Sequence, residues 1–179
     1  AVNRPRSSGR MSRERSRVPE GGIATLRRMH RTIASTFGLG LLPRRWWGSD
    51  DGAGTFGAAF AWLLAGGLLW AGAAWWWMLL LATAAAAASV WSARPFTAEG
   101  DPGWICMDET AGSLLALIGL GGWPFLIAAV VARAADIWKV LPGVRTAERL
   151  PGAVGITADD LVAGLYGLAA GWLAVAAGL

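Results

Sequence analysis

Charged side chains are what this sequence has least of in the places a soluble chain needs them. Residues 52–93 contain none, a run of 42 positions, and residues 110–132 and 161–179 are two more such runs. Charged residues make up 16% of the chain against 55% hydrophobic, well below the share of charge usual for a soluble domain. A soluble fold of this size would place charge on the outer face of every element, so these runs belong in lipid or in tight protein contact. Cysteine is nearly absent as well. Cys106 stands alone, which excludes an internal disulfide or a cysteine-built metal site. His30 is the only histidine, and its solitude removes most histidine-based catalysis.

The charge that is present is unevenly spread. Eleven of the sixteen basic residues, all arginine, fall within residues 4–45, while past residue 49 acids outnumber bases ten to five. An arginine-rich block beside a first span reads as a cytoplasmic flank drawn to anionic headgroups. Nucleic acid fits this block poorly, because no aromatics are interleaved with the arginines. Residues 1–22, rich in Arg, Ser, Gly and Pro, read as a disordered basic tail, and residues 23–179 as a single membrane-embedded domain. Met11 is a candidate start, and with the first apolar run some fifty residues in, no cleavable signal is expected. Residues 23–31 fit either a short basic helix on the membrane surface, with Leu26, Met29 and Ile33 on its apolar side, or a solvated linker.

The longest apolar run is too long for one span and right for two. Trp70, Trp75, Trp76 and Trp77 gather around Gly72 near its middle and Trp91 marks its far end, as expected of interfacial tryptophan. Spans are therefore expected over 54–70 and 76–92, each about 25 Å of helix. The run 110–132 is interrupted by Gly121-Gly122-Trp123-Pro124. A single crossing there would strand Asp136 on the opposite side from Asp108 and Glu109, so two shorter helices that dip in and return are expected. A charged segment over 133–160 and a last apolar helix from Leu161 complete an all-α, integral membrane helical bundle. It has about three spans plus a broken or re-entrant helix pair, with every acidic cluster on the cytoplasmic side.

Three acidic clusters border the apolar runs: Asp101 with Asp108-Glu109, Asp136 with Lys139, and Asp159-Asp160. Carboxylates at a membrane boundary are costly unless paired or holding a cation. Magnesium takes oxygen ligands, often carboxylates together with substrate phosphate and water, so converging clusters could hold one or two ions and neutralise a phosphate monoester. Asp159 and Asp160 equally fit a helix cap, since Thr157 precedes Asp160 in a Thr-x-x-Asp pattern. Arg133, Asp136 and Lys139 recur every third residue and are expected along one helical face, either as a salt-bridge ladder or as a ligand flanked by two phosphate-binding cations. Gly52-Ala53-Gly54-Thr55-Phe56-Gly57 matches G-x-G-x-x-G but follows no strand and precedes no acid at ribose distance. It is left as a flexible entry to a helix or as a turn whose N–H groups could hold phosphate.

Other phosphatase chemistries lack their residues. Cys106 has no arginine at a cysteine-phosphatase spacing, phosphohistidine enzymes need more histidine, and no D-x-D suits an aspartyl-phosphate mechanism. A water activated by a metal is the remaining nucleophile.

At these motifs the chain resembles the phosphatidylglycerophosphatase A family. Thr36-Phe37-Gly38-Leu39-Gly40-Leu41-Leu42-Pro43 followed by Gly54-Thr55-Phe56-Gly57 resembles the family's glycine-rich opening. Asp101-Pro102-Gly103-Trp104-Ile105-Cys106-Met107-Asp108-Glu109 resembles its acid-rich loop, and Ala135-Asp136-Ile137-Trp138-Lys139 and Gly155-Ile156-Thr157-Ala158-Asp159-Asp160 its closing motifs. Val140 stands where the family usually has proline. The resemblance implies an all-helical, magnesium-dependent enzyme of the bacterial inner membrane, with its active site facing the cytoplasm. It would hydrolyse the phospholipid phosphatidylglycerophosphate to phosphatidylglycerol and phosphate. It further implies Asp108, Glu109, Asp136, Asp159 and Asp160 as the metal and catalytic set, with Arg133, Lys139, Thr55 and Gly54 at the phosphate. A small ion-coupled transporter and a non-catalytic membrane scaffold are the rival readings. The transporter is disfavoured because it wants acids within its spans, and the three apolar runs have none.

Overall fold

A computed structural model of the chain describes residues 20–99 and 102–179. The expected tail over 1–22 therefore lies outside the described residues except for its last three, which open the first helix, and Asp101 also lies outside them. Among the described residues the fold is entirely helical: α1 (Glu20–Ala34), α2 (Leu42–Trp47), α3 (Ala53–Trp70), α4 (Trp76–Ala93), α5 (Met107–Ala116), α6 (Gly122–Trp138), α7 (Val144–Glu148) and α8 (Ala153–Ala176). Short 3-10 turns precede α2 and follow α4.

Among the described residues, three segments are long and apolar enough to cross a membrane: Ala53–Trp70, Trp76–Ala98 and Ala153–Ala176. Helices α3 and α4 meet the expected spans within a residue at either end, the apolar stretch of the second running on through the 3-10 turn to Ala98, and Gly72, at φ 68°, makes the left-handed turn between them. Residues 23–31 are helical rather than a linker. α1 lies on α4, with His30 stacked on Trp91 at 4.0 Å and its Nδ1 3.3 Å from the Ser92 carbonyl. Ile33 packs into the core, whereas Leu26 and Met29 stay exposed beside Ile23.

The run 110–132 does fold back on itself, but its break falls at residues 117–121. Gly119, at φ 72°, supplies the turn, and Gly122 and Pro124 lie in the first turn of α6. Proline is harmless there, because first-turn N–H groups have no helical partner to lose. The pair also reaches deeper than a dip. A side chain on Gly119 would press against Trp172 of α8 and Trp75 at the start of α4, so the turn lies level with the α3–α4 turn.

The last helix starts eight residues earlier than Leu161 and takes in Asp159 and Asp160. Thr157 is not its cap. The Thr157 hydroxyl donates to the Ala153 carbonyl at 3.1 Å, one turn back, and lies 2.8 Å from the Ser89 hydroxyl of α4. Acids are tolerated inside a span when they face the bundle rather than lipid, and both are buried. The core is mostly alanine and leucine, including Ala61, Ala111, Ala116, Ala128, Leu114 and Leu117, with buried glycines in α3, α5 and α8. Small residues of this kind let helix backbones approach closely in lipid, where packing replaces the hydrophobic effect as the driving force.

Candidate active site

α8 is the spine of the site. It packs against α4, α5, α6 and α7, and its crossing with α5 is a backbone contact. A Cβ on Gly112 would strike the Asp160 backbone, and one on Gly164 would strike the Gly112 backbone. Only glycine permits this approach, and it sets the first turn of α5, with Asp108 and Glu109, beside Asp160. Gly54 does the same for α3. It is buried, and a Cβ there would fall on the Glu109 carboxylate and close to the Arg133 guanidinium. The last turns of α6 bring Arg133 and Asp136 to the same end of the bundle.

Two groups of carboxylates result. Asp108, Glu109 and Asp160 each offer one oxygen within 4.8 Å of the others, and Asp136, Asp159 and Asp160 do likewise, so Asp160 belongs to both. Asp108, Asp159 and Asp160 are 4%, 5% and 8% exposed, which removes most of the water that would otherwise screen them. Five carboxylates meet two cations. Arg133 pairs with Asp136 on the same helix and reaches the Thr55 hydroxyl at 3.5 Å. Lys139 donates to Asp159 Oδ2 and to Glu148 Oε1, both at 2.7 Å. Burial pulls the Lys139 ammonium down, but its bonds to Asp159 and Glu148 outweigh that and hold its pKa above the usual lysine value. The Glu109 amide donates to Asp108 Oδ1 at 3.1 Å. Glu109 Oε2, Asp159 Oδ1 and Arg133 Nε are buried without a hydrogen-bond partner.

Between the carboxylates lies a cavity of about 10 Å³, walled by Glu109, Arg133, Asp136 and Asp160 and by the glycines of the α5–α8 crossing. That is room for one ion or one water, not for a substrate. A phosphate must therefore meet the site from its rim, where Thr55 is exposed and Arg133 and Lys139 are half-buried.

All five acids named from the sequence, together with Arg133, Lys139, Thr55 and Gly54, thus collect at one end of the bundle. Two local expectations change. Lys139 does not continue the helical face of Arg133 and Asp136: α6 ends at Trp138, and Lys139 takes the left-handed conformation, φ 47° and ψ 34°, which swings its side chain towards α7 and α8. In the glycine-rich turn, the Ala53 and Thr55 amides already donate to Asp50 and Gly52 carbonyls at 3.1 and 2.9 Å. Glu148 and Ser113 were not singled out from the sequence. Glu148 lies in no motif, and Ser113, in the cavity wall, reads as one more small residue of an apolar run. Cys106 is fully buried, and burial first, with the Glu109 and Asp108 charges adding to it, pushes its thiol up to about 12. A thiolate nucleophile has no place here.

No curated protein and no solved structure matches the chain. A family model does: that of phosphatidylglycerophosphatase A matches residues 32–175, a stretch that runs from the end of α1 to the end of α8 and contains every residue of the carboxylate groups. With most of its length matched, the chain belongs to the phosphatidylglycerophosphatase A family and is a phosphoric monoester hydrolase.

Proposed function

We propose that this protein hydrolyses the phosphate monoester of phosphatidylglycerophosphate, releasing phosphatidylglycerol and inorganic phosphate, with magnesium held by Asp108, Glu109, Asp136, Asp159 and Asp160. The observation that carries this reading is the convergence of five carboxylates from α5, α6 and α8 within two groups that share Asp160, opposed among the described residues by the two cations Arg133 and Lys139. Buried carboxylate oxygens without a partner, such as Glu109 Oε2 and Asp159 Oδ1, are costly unless a cation satisfies them. An all-oxygen donor set around a space the size of one ion suits magnesium. When bound, it supplies charge neutralisation and Lewis-acid activation.

The chain's own residues do the rest. Arg133, Lys139 and the Thr55 hydroxyl receive the phosphate at the rim, where planar guanidinium and compact ammonium complement its oxygens. Gly54 keeps the Glu109 carboxylate and Arg133 in register by occupying no space between them. Water attacks phosphorus, a carboxylate oxygen takes its proton, the phosphorus–oxygen bond to glycerol breaks, and the leaving oxygen is protonated. The arginine-rich flank before α3 supports an active site facing the cytoplasm of a bacterial inner membrane.

The transporter alternative can no longer be set aside on the absence of acids from spans, because α8 carries two. Membership of a hydrolase family decides against it. Purified protein given phosphatidylglycerophosphate and magnesium should release phosphate, and EDTA should abolish the release. Undiminished turnover in chelator after exhaustive metal removal would sink the mechanism. Asp108→Asn and Asp160→Asn should each lower the rate by about 10² or more while the protein stays folded.

A further inference from the structure

The buried hydroxyls of this bundle have partners, with one exception. A serine or threonine in a helix ordinarily donates to the carbonyl one turn back. Thr110 and Thr157 do so, to Cys106 and Ala153 at 2.9 and 3.1 Å, as does Ser35 at the end of α1, to Arg31 at 2.8 Å. Thr36 meets Thr110, Ser89 meets Thr157, and Ser92 donates to the Ser89 carbonyl. Ser113 is buried like these, 8% exposed, within α5. Among the described residues its hydroxyl meets neither the Glu109 carbonyl nor any other hydrogen-bonding group.

Where that hydroxyl lies gives it a use. Ser113 stands at i+4 from Glu109, so the two share one face of α5. The neighbouring Gly112 presses that helix onto the Asp160 backbone. Ser113 is thereby set in the wall of the cavity of about 10 Å³, together with Glu109, Asp136 and Asp160. A buried hydroxyl without a partner costs stability, and this one borders a space for a single small occupant. It carries one proton to donate and two lone pairs, so it can face a carboxylate and a cation at once. Hard divalent cations accept hydroxyl oxygen as well as carboxylate. A neutral ligand also adds no charge to a site where five carboxylates already meet Arg133 and Lys139.

We propose that Ser113 is a ligand of the cation held at this site, a neutral oxygen beside Glu109, Asp136 and Asp160. The inference rests on the magnesium reading given above and adds to it a residue from outside the acidic motifs.

Manganese(II) is the probe, because it takes the same oxygen donors and its free form is counted by electron paramagnetic resonance. Full-length protein in detergent, stripped with chelator and returned to metal-free buffer, is titrated with it. Wild type should bind saturably, and Ser113→Ala about tenfold more weakly. Thermal melts separate ligation from a structural role. In EDTA, Ser113→Ala should melt at or above the wild-type midpoint, because the hydroxyl it removes has no partner. The rise in midpoint on adding magnesium should be smaller than in wild type. Cys106→Ser/Ser113→Cys then offers a thiolate at the same place. Soft ligands draw soft cations, so with cadmium this variant should develop the ultraviolet absorption of a cadmium–thiolate bond, which Cys106→Ser alone lacks.

Wild-type manganese affinity in Ser113→Ala, where wild type binds and Asp160→Asn does not, would overturn the ligation and leave the carboxylate site standing. So would an EDTA midpoint well below that of wild type, which marks a structural serine. Weaker manganese binding without the cadmium–thiolate band would reduce Ser113 to a support for a neighbouring carboxylate and overturn the ligation as well. No manganese binding by wild type would overturn the magnesium reading itself, and this inference with it.

Discussion

Gly54 contributes no side chain, yet the position of two others depends on it. The space its Cβ would fill is taken by the Glu109 carboxylate and flanked by Arg133. Gly54→Ala should therefore displace Glu109 without unfolding the helix, because the group it strikes is the end of a flexible side chain. Misplacing a reacting group by an ångström can cost about 10² in rate, and initial-rate measurements beside a thermal melt should show that loss at a nearly unchanged midpoint. Cys106 is the opposite case, conspicuous in the sequence and inert in the fold. Cys106→Ser should keep most activity, since the thiol is buried and pushed up to about 12; complete inactivation of the folded variant would reopen a thiol mechanism. The acids were legible in the sequence because charge at the edge of an apolar run has few uses. Glu148 was not legible: its bond to Lys139 exists only because that lysine turns left-handed at the end of α6.

The glycines divide into those that meet another helix and those that meet nothing, and substitution should tell them apart. Gly112→Ala puts a methyl group into the Asp160 backbone and should force α5 and α8 apart. Overpacking of this kind costs about 1–3 kcal/mol, and here it would also spread Asp108 and Glu109 away from Asp160. Both the melting temperature and the rate should fall. Gly66→Ala, in α3, has nothing within 4 Å of the new atom and relieves a helix-interior glycine, so it should leave activity intact and stabilise by up to about 1 kcal/mol. Comparable losses from both variants would show that the α5–α8 contact is not what holds the site. The spans and the returning pair could be read from hydropathy and from the need to bring Asp136 back to Asp108. The place of the break could not, because Gly121-Gly122-Trp123-Pro124 reads as an interruption whether it ends one helix or begins the next. Thr157 misled for a related reason. A Thr-x-x-Asp pattern caps a helix only if the chain is not already helical, and α8 begins at Ala153.

The arrangement of the whole bundle requires α5 and α6 to enter and leave by the same end. Single cysteines in a Cys106→Ser background test this directly. Ala98 and Thr146, both exposed, should label from the side that carries the carboxylates. Ala71 and Gly121, exposed at the α3–α4 turn and the α5–α6 turn, should label from the other. If Ala98 and Thr146 label from opposite sides, Asp108 and Asp136 would stand about 30 Å apart across hydrocarbon, too far to share an ion whose ligands lie about 2 Å away.

Chain order adds a temporal side to this geometry. α8 is the last of the described helices to leave the ribosome, and it alone brings Asp159 and Asp160, the latter common to both carboxylate groups. Until it enters the bilayer, Gly112 faces no partner and Lys139 has no aspartate to hold. On the proposed ligand set, a chain whose synthesis stops before α8 carries most of the bundle and none of the catalysis. Insertion of α8 is then the event that completes both the α5–α8 contact and the proposed carboxylate site.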